Sequence, residues 1–342
     1  MRKNIKTLLC VTAFVGAMSS GIAFADNLTI SSGSTETISQ ESTYDNIINE
    51  GTLNNNASLI AETNINNSSS INNSSSIVTK EITNQSGASI TGVSGSIEIS
   101  NGGTNDGSIT QNIVNVTAGT LTNSGTISAE TFNNSGQLTG TGKLIAAGGS
   151  NSTTIEQDTI EITGNYTNNG TMTANKEFTN ASSDITGNGS LIIKDSTGNS
   201  SNGGSISQAI VNISGNKFTN TGSITASQEF TNSAAIEGAG SISASQGGTN
   251  TGSINQNEVT TGGTFNNGDG TTAGTITTDK LTNNGTFNNN SGSSIISDEI
   301  INNDKFRRMI TVKDNVRDTM FAAIGAIKSD KLRSQDSIRQ AD

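Results

Sequence analysis

Large apolar residues stand six apart at Phe218, Ile224, Phe230, Ile236 and Ile242, and between them lie almost only Thr, Ser, Asn, Gly and Ala. An amphipathic helix would repeat its apolar positions about every 3.6 residues, and one large side chain in six is too sparse for a sheet packed on a separate core. The spacing fits a chain wound into three-sided coils, each side turning one large residue inward, so that stacked coils share a core none could bury alone. The same rhythm runs through Ile65, Ile71 and Ile77, through Leu121, Ile127, Phe132, Leu138 and Leu144, and through Tyr166, Met172, Phe178, Ile185 and Leu191. Three sides of six predict a parallel β-helix with coils of roughly 18 residues. The one-residue slips are expected at the corners, as bulges where Asn and Gly tolerate left-handed backbone angles.

A longer repeat lies over the short one. Ile109, Ile155, Ile206 and Ile254, which are 46, 51 and 48 residues apart, each have Gln two places on (Gln111, Gln157, Gln208, Gln256). A following motif recurs as Leu121-Thr-Asn-Ser-Gly-Thr, Tyr166-Thr-Asn-Asn-Gly-Thr and Phe218-Thr-Asn-Thr-Gly-Ser. Duplication is its simplest origin, and stacking would let Asn and Gln bond amide to amide along the column.

Composition sharpens this picture. The chain has 342 residues, 39 of them Gly and 46 Asn, with no Trp and no Pro, and is only 30% hydrophobic. So polar a chain raises disorder as a rival, but disorder would leave the large residues irregularly placed. The absence of Pro suits strands whose every N–H must bond to a neighbouring coil. At the amino terminus Arg2, Lys3 and Lys6 precede an apolar stretch and Ala23-Phe24-Ala25, which reads as a secretory signal peptide over residues 1–25. The one cysteine, Cys10, falls within it, so the mature chain has neither disulfides nor thiol chemistry.

Charge divides the remainder in two. Residues 26–303, the expected repeat domain, hold six Lys, no Arg and 23 Asp plus Glu, a net charge of −17. Residues 304–342 hold nine Lys plus Arg and six Asp, a net charge of +3. An acidic body without arginine argues against nucleic acid as a partner. In the basic tail, Thr311 and Asp314 resemble a capping box, and Val316, Met320, Ala323, Ile324 and Ile327 share one helical stripe. This predicts a short amphipathic α-helix over about 312–328, serving as a lid on the last coil, a linker, or a membrane-surface helix.

The segments Leu121-Thr-Asn-Ser-Gly-Thr-Ile127, Phe218-Thr-Asn-Thr-Gly-Ser-Ile224 and Leu281-Thr-Asn-Asn-Gly-Thr-Phe287 resemble the passenger domains of autotransporter adhesins. They resemble filamentous haemagglutinin-type adhesins less closely. The resemblance covers residues 28–303. It implies a right-handed parallel β-helix, export by a secretion machinery, display at the outer membrane or outside a Gram-negative cell, and a part in adhesion or aggregation. A left-handed β-helix is the alternative fold. The carboxy-terminal barrel of autotransporters has no counterpart after Ile301, so the expectation is either a passenger fragment or another route out of the cell.

The chemistry-bearing residues point away from catalysis. The chain contains no His, and the six lysines of the repeat domain (80, 143, 176, 194, 217 and 280) are scattered along it. Glu156, Asp158 and Glu161 form the densest acidic group, which reads as a solvated face and not as an acid and base pair. Asn267-Gly-Asp-Gly270 resembles part of a calcium loop but lacks the repeated Gly-Gly-x-Gly-x-Asp spacing. Thr pairs at 120/122, 139/141, 171/173 and 275/277 resemble the ladders of ice-binding solenoids, yet their spacing does not put them in one register. No catalytic, cofactor-binding or metal-binding residue is therefore assigned. The expectation is a non-catalytic, adhesin-like rod or, alternatively, a structural spacer. Its partner would be a host-cell or abiotic surface, or further copies of itself. Contacts are expected on the side faces and on corner loops such as 148–153 and 195–203.

Overall fold

The five residues six apart are all interior, none more than 2% exposed, and each belongs to a different side of a winding coil from the one before. A computed structural model describes residues 26–307. The signal peptide expected at 1–25 and the helix expected at 312–328 lie outside the described residues. Within them there are 32 strands, all joined by parallel pairing in about 16 turns of a β-solenoid. At about 4.8 Å per turn the rod is roughly 75 Å long.

Three columns of large side chains fill the interior. The first runs from Leu28 and Ile47 through Ile65, Ile82 and Leu121 to Phe265, Phe287 and Phe306. The second includes Leu53, Ile71, Ile90, Ile109 and Ile127. The third includes Leu59, Ile77, Ile97, Val114 and Phe132. The slips in spacing fall at the corners, as expected. Strand Thr126–Asn134 turns one without breaking: its inward residues are Ile127 and Ala129, then Phe132 and Asn134, with Glu130 and Thr131 both facing out between them. Register irregularities sit at comparable corners, for example between Gln157 and Thr159.

Two residues beyond a column position, the side chain also faces inward, and here the buried Asn residues stack. Asn49, Asn67, Asn84, Asn105 and Asn123 each donate from Nδ2 to the next amide oxygen along the rod, at 2.6–2.8 Å. The same Nδ2 groups donate to backbone carbonyls of the coil above, such as Ser70 and Thr126. Similar ladders occupy the other corners, through Asn180, Asn202 and Asn220, and through Asn134, Asn151 and Asn168. A buried amide left unpaired would cost about 1–3 kcal/mol, so each ladder stabilises the structure only while it is continuous.

Continuity explains the glutamines. Asn73, Asn123, Asn168 and Asn220 donate to Gln111, Gln157, Gln208 and Gln256 at 2.5–2.7 Å, over sequence separations of 38, 34, 40 and 36 residues. Each separation spans two coils, and the coil between has glycine at the ladder position: Gly92, Gly140, Gly187 and Gly238. A Cβ on Gly140 would lie 2.3 Å from the Asn123 carbonyl oxygen, at a φ of +125° that side-chain-bearing residues avoid. Glycine removes a rung, and the longer Gln side chain reaches across the gap.

Glycine, or serine once, also interrupts the large-residue columns at Gly103, Gly149, Ser200 and Gly248. The next coil fills each gap with a large side chain: Leu121, Tyr166, Phe218 and Phe265 respectively. The long repeat thus begins at 103, 149, 200 and 248 and spans eight sides, or two coils and two sides. Its Gln accordingly moves from the second corner (Gln111) to the first (Gln157), the third (Gln208) and back to the second (Gln256).

Candidate binding edge

Most sides take five to seven residues, but a few are longer, and every longer one turns the same corner. Between the first and second columns the chain inserts residues at 31–34, 85–88, 195–199, 268–274 and 290–293. Three insertions are the same four-residue turn: Ser34 N–H donates to Ser31, Ala88 to Gln85 and Ser293 to Asn290, at 2.9–3.0 Å. In each the third residue is a glycine with φ near +80° (Gly33, Gly87, Gly292), as a type II turn requires.

The insertions at 268–274 and 290–293 lie in successive coils and brace each other. Asn290 Nδ2 donates to the Gly268 carbonyl, and the Ser293 hydroxyl accepts from Gly274 N–H at 3.0 Å. Asp269, Thr271 and Thr272 are exposed at the tip. Asp269 Oδ1 accepts from Thr272 N–H, the Thr271 hydroxyl and Thr271 N–H at 2.6–2.8 Å, and these bonds, the Thr272 one foremost, hold its carboxyl below the usual range. Asp269 caps its own turn, while Asn267 is a buried ladder rung bonded to Asn289 and Ser294.

At 195–199 a carboxylate organises the insertion from within. Asp195 is 1% exposed and accepts from Gly198 N–H, the Ser200 hydroxyl, the Thr197 hydroxyl and Lys217 N–H at 2.7–3.2 Å. Burial is the largest single influence and pushes its carboxyl upward, but the four bonds together hold it below the ordinary range. Between these insertions, Lys176 bridges to Asp158 at 2.7 Å, and Lys194 donates to Asn175, whose own Nδ2 donates to Glu156.

Two expectations about contact loops change. Residues 148–153 look like a loop because they are rich in Gly, Ser and Asn, yet Gly149 lies in the third column under Tyr166 and Asn151 is a fully buried rung. In 195–203 only the first half protrudes, because Ser200 and Asn202 are buried. The acidic group at 156–161 is dispersed over two sides, with Glu161 bridged to Lys143 and Asp158 to Lys176. Lys217 bridges to Glu237 and Lys80 to Glu62, so four of the six lysines neutralise an acid in an adjacent coil. The Thr pairs do not stack as pairs. Thr122 aligns with Thr139, the second member of one with the first of the next, and Thr120 aligns with Gln137.

Among the described residues no three His, Cys, Asp or Glu groups converge as a metal-ligand set. A shallow groove of about 140 Å³ beside the exposed Val93 is floored by Ala129, Ile145 and Ala147, with Glu130 its one charged neighbour. Fold and edge together define a three-sided, all-β parallel solenoid with its projections gathered on one corner. Compared with family models, curated proteins and solved structures, the chain matches none.

Proposed function

We propose that this chain is an exported, adhesin-like rod of the autotransporter-passenger kind, a right-handed β-helix that attaches cells to a surface or to one another without catalysis. The observation that carries the proposal is the gathering of every long insertion on one corner. A rod selected only to be long would have no reason to project polar turns along a single edge. The contacts on offer there are hydroxyls, amides and turn backbone from Ser32, Ser86, Thr271, Thr272 and Ser291, so recognition would rest on hydrogen bonding more than on charge. The irregular sides of five to eleven residues favour the right hand, because left-handed coils keep stricter hexads. Export rests on the sequence of residues 1–25.

A spacer role is the second reading, and the eight-side repeat favours it. Duplication of a binding motif in register would have stacked its copies on one face, whereas this repeat carries its Gln and Asn motif round all three corners. Purified protein added to host cells, an abiotic surface and the parent cells separates the readings. Retention that falls when Asp269, Thr271, Thr272 and Ser291 are replaced by Ala supports attachment through the edge. Retention indifferent to those changes moves binding elsewhere, and no retention on any surface leaves the spacer. Loss of a sugar polymer in its presence would restore an enzymatic reading.

A further inference from the structure

Six asparagines among the described residues are followed directly by glycine: Asn101, Asn169, Asn188, Asn202, Asn267 and Asn284. Four of them are exposed, but Asn202 and Asn267 are ladder rungs, each no more than 1% exposed. An Asn–Gly pair is open to self-modification, because a following residue without Cβ lets its backbone nitrogen approach the side-chain amide. The glycine nitrogen attacks Cγ, the Cγ–Nδ2 bond breaks, and ammonia leaves carrying the proton from the glycine nitrogen. Water then opens the five-membered imide at one carbonyl or the other, giving Asp or its isomer linked through the side chain. Water is the only co-reactant.

In the solenoid the rung beneath clamps both reacting groups. Asn180 Nδ2 donates to Asn202 Oδ1 at 2.7 Å, and the Asn180 carbonyl accepts from Gly203 N–H at 2.7 Å. Asn250 does the same, donating to Asn267 Oδ1 at 2.8 Å and accepting from Gly268 N–H at 2.6 Å. The leaving group is held from the other side, since Asn202 Nδ2 donates to Asn220 and Asn267 Nδ2 to Asn289, both at 2.8 Å. After the exposed Asn169 and Asn188, the N–H bonds of Gly170 and Gly189 are longer, 3.2 and 3.0 Å.

A converted rung does not fit the ladder. A carboxylate donates nothing, so at position 202 it would meet Asn220 Oδ1 and the Gly204 and Ser223 carbonyls as one buried acceptor facing others. The isomer also lengthens the main chain by one carbon. We infer that Asn202 and Asn267 are self-modification sites of the unfolded chain that folding switches off, and that a chain converted there before folding is excluded from this structure. The two rungs thereby limit how long an unfolded chain stays competent to fold, whatever the finished rod binds.

Peptide mass mapping of the full chain, held for equal times in mildly alkaline buffer with and without denaturant, tests this. In denaturant all six pairs should convert at similar rates. In native buffer, conversion at Asn202 and Asn267 requires local opening and should slow roughly a hundred-fold or more, beyond any slowing at Asn169 and Asn188. When the aged denatured chain is refolded, recovery of sheet by circular dichroism should fall in step with conversion at the two rungs. The folded fraction should carry acid at the exposed pairs and intact amide at Asn202 and Asn267. Asn188→Asp should fold as the natural chain does, and Asn202→Asp should not. Conversion of the rungs in native buffer as fast as in denaturant would overturn the protection. A folded fraction carrying Asp or its isomer at either rung would overturn the exclusion.

Discussion

Shortening one glutamine tests how the amide ladders cross their gaps. Gln157→Asn removes a single methylene from a fully buried side chain. Its Oε1 now accepts from Asn123 Nδ2 at 2.6 Å across the coil in which Gly140 stands at the ladder position. Adjacent coils are about 4.8 Å apart, so rungs on either side of the gap are separated by nearly twice that, and an Asn would fall short. Asn123 Nδ2 would keep only its 3.2 Å bond to the Lys143 carbonyl, while its Oδ1 would still accept from Asn105. Losing a neutral hydrogen bond costs about 0.5–1.5 kcal/mol, and an unsatisfied buried amide costs about 1–3 kcal/mol. A local destabilisation of about 2–3 kcal/mol is therefore expected. In a stacked array this acts mainly on the coils that share the defect, so a whole-molecule melting temperature would understate it. Native-state hydrogen exchange resolves it: amides in coils 121–172 should exchange roughly thirty- to a hundred-and-fifty-fold faster, with distant coils unchanged. The exposed Gln228 changed to Asn is the control. Equal protection in the two variants would refute the bridging role.

Tyr166→Phe is expected to stabilise the third column by about 1 kcal/mol, because the buried hydroxyl has no hydrogen-bond partner and its desolvation is uncompensated; lower protection in that coil would show that the hydroxyl is satisfied. For Asp195 the folded pKa is depressed, so its contribution is complete above the unfolded value of about 3.9 and disappears as pH falls through the folded one. Exchange protection at 195–200, corrected for intrinsic rates, should hold from neutrality down to about pH 5 and collapse in stronger acid. Asp195→Asn should lower the protection at neutral pH and flatten that profile, and an unaltered profile would place the acid sensitivity elsewhere. Gly187→Ala would bring a Cβ within 2.2 Å of the Asn168 carbonyl oxygen at a φ of +128°. It should therefore unfold the coils around 168–208 more severely than Gln157→Asn does those around 121–172, and a smaller effect would mean the backbone there can relax.

Much of the fold is legible because one large residue per side is an economical code. Phe218 to Ile242 can be assigned to successive sides by counting sixes, and the Ile-x-Gln motif at 109, 155, 206 and 254 marks a real structural event. The nature of that event is not readable in the same way. Whether Asn123 or Ser124 faces inward depends on where the corner falls, and each slip of one residue moves every later corner; only the accumulated register shows that Gln157 stands two coils above Asn123. The same accumulation hides the shared edge of the insertions, since those at 85–88 and 268–274 are far apart in sequence and share a corner only after all intervening sides are counted. Residues 148–153 mislead for a different reason. Their Gly, Ser and Asn composition is that of a loop, but Gly149 is a deliberate vacancy for Tyr166 and Asn151 is a rung. In a core this narrow, glycine serves as an interior residue.

The mismatch between an eight-side unit and a three-sided coil has a consequence for how such a rod changes length. Recombination between duplicated units would add or delete one at a time, and each such event would turn everything beyond it by a third of a revolution about the long axis. Only the gain or loss of three units together would return the distal projections to their original bearing. Length and orientation are therefore coupled in this molecule, and relatives differing by one unit would point their tips in different directions.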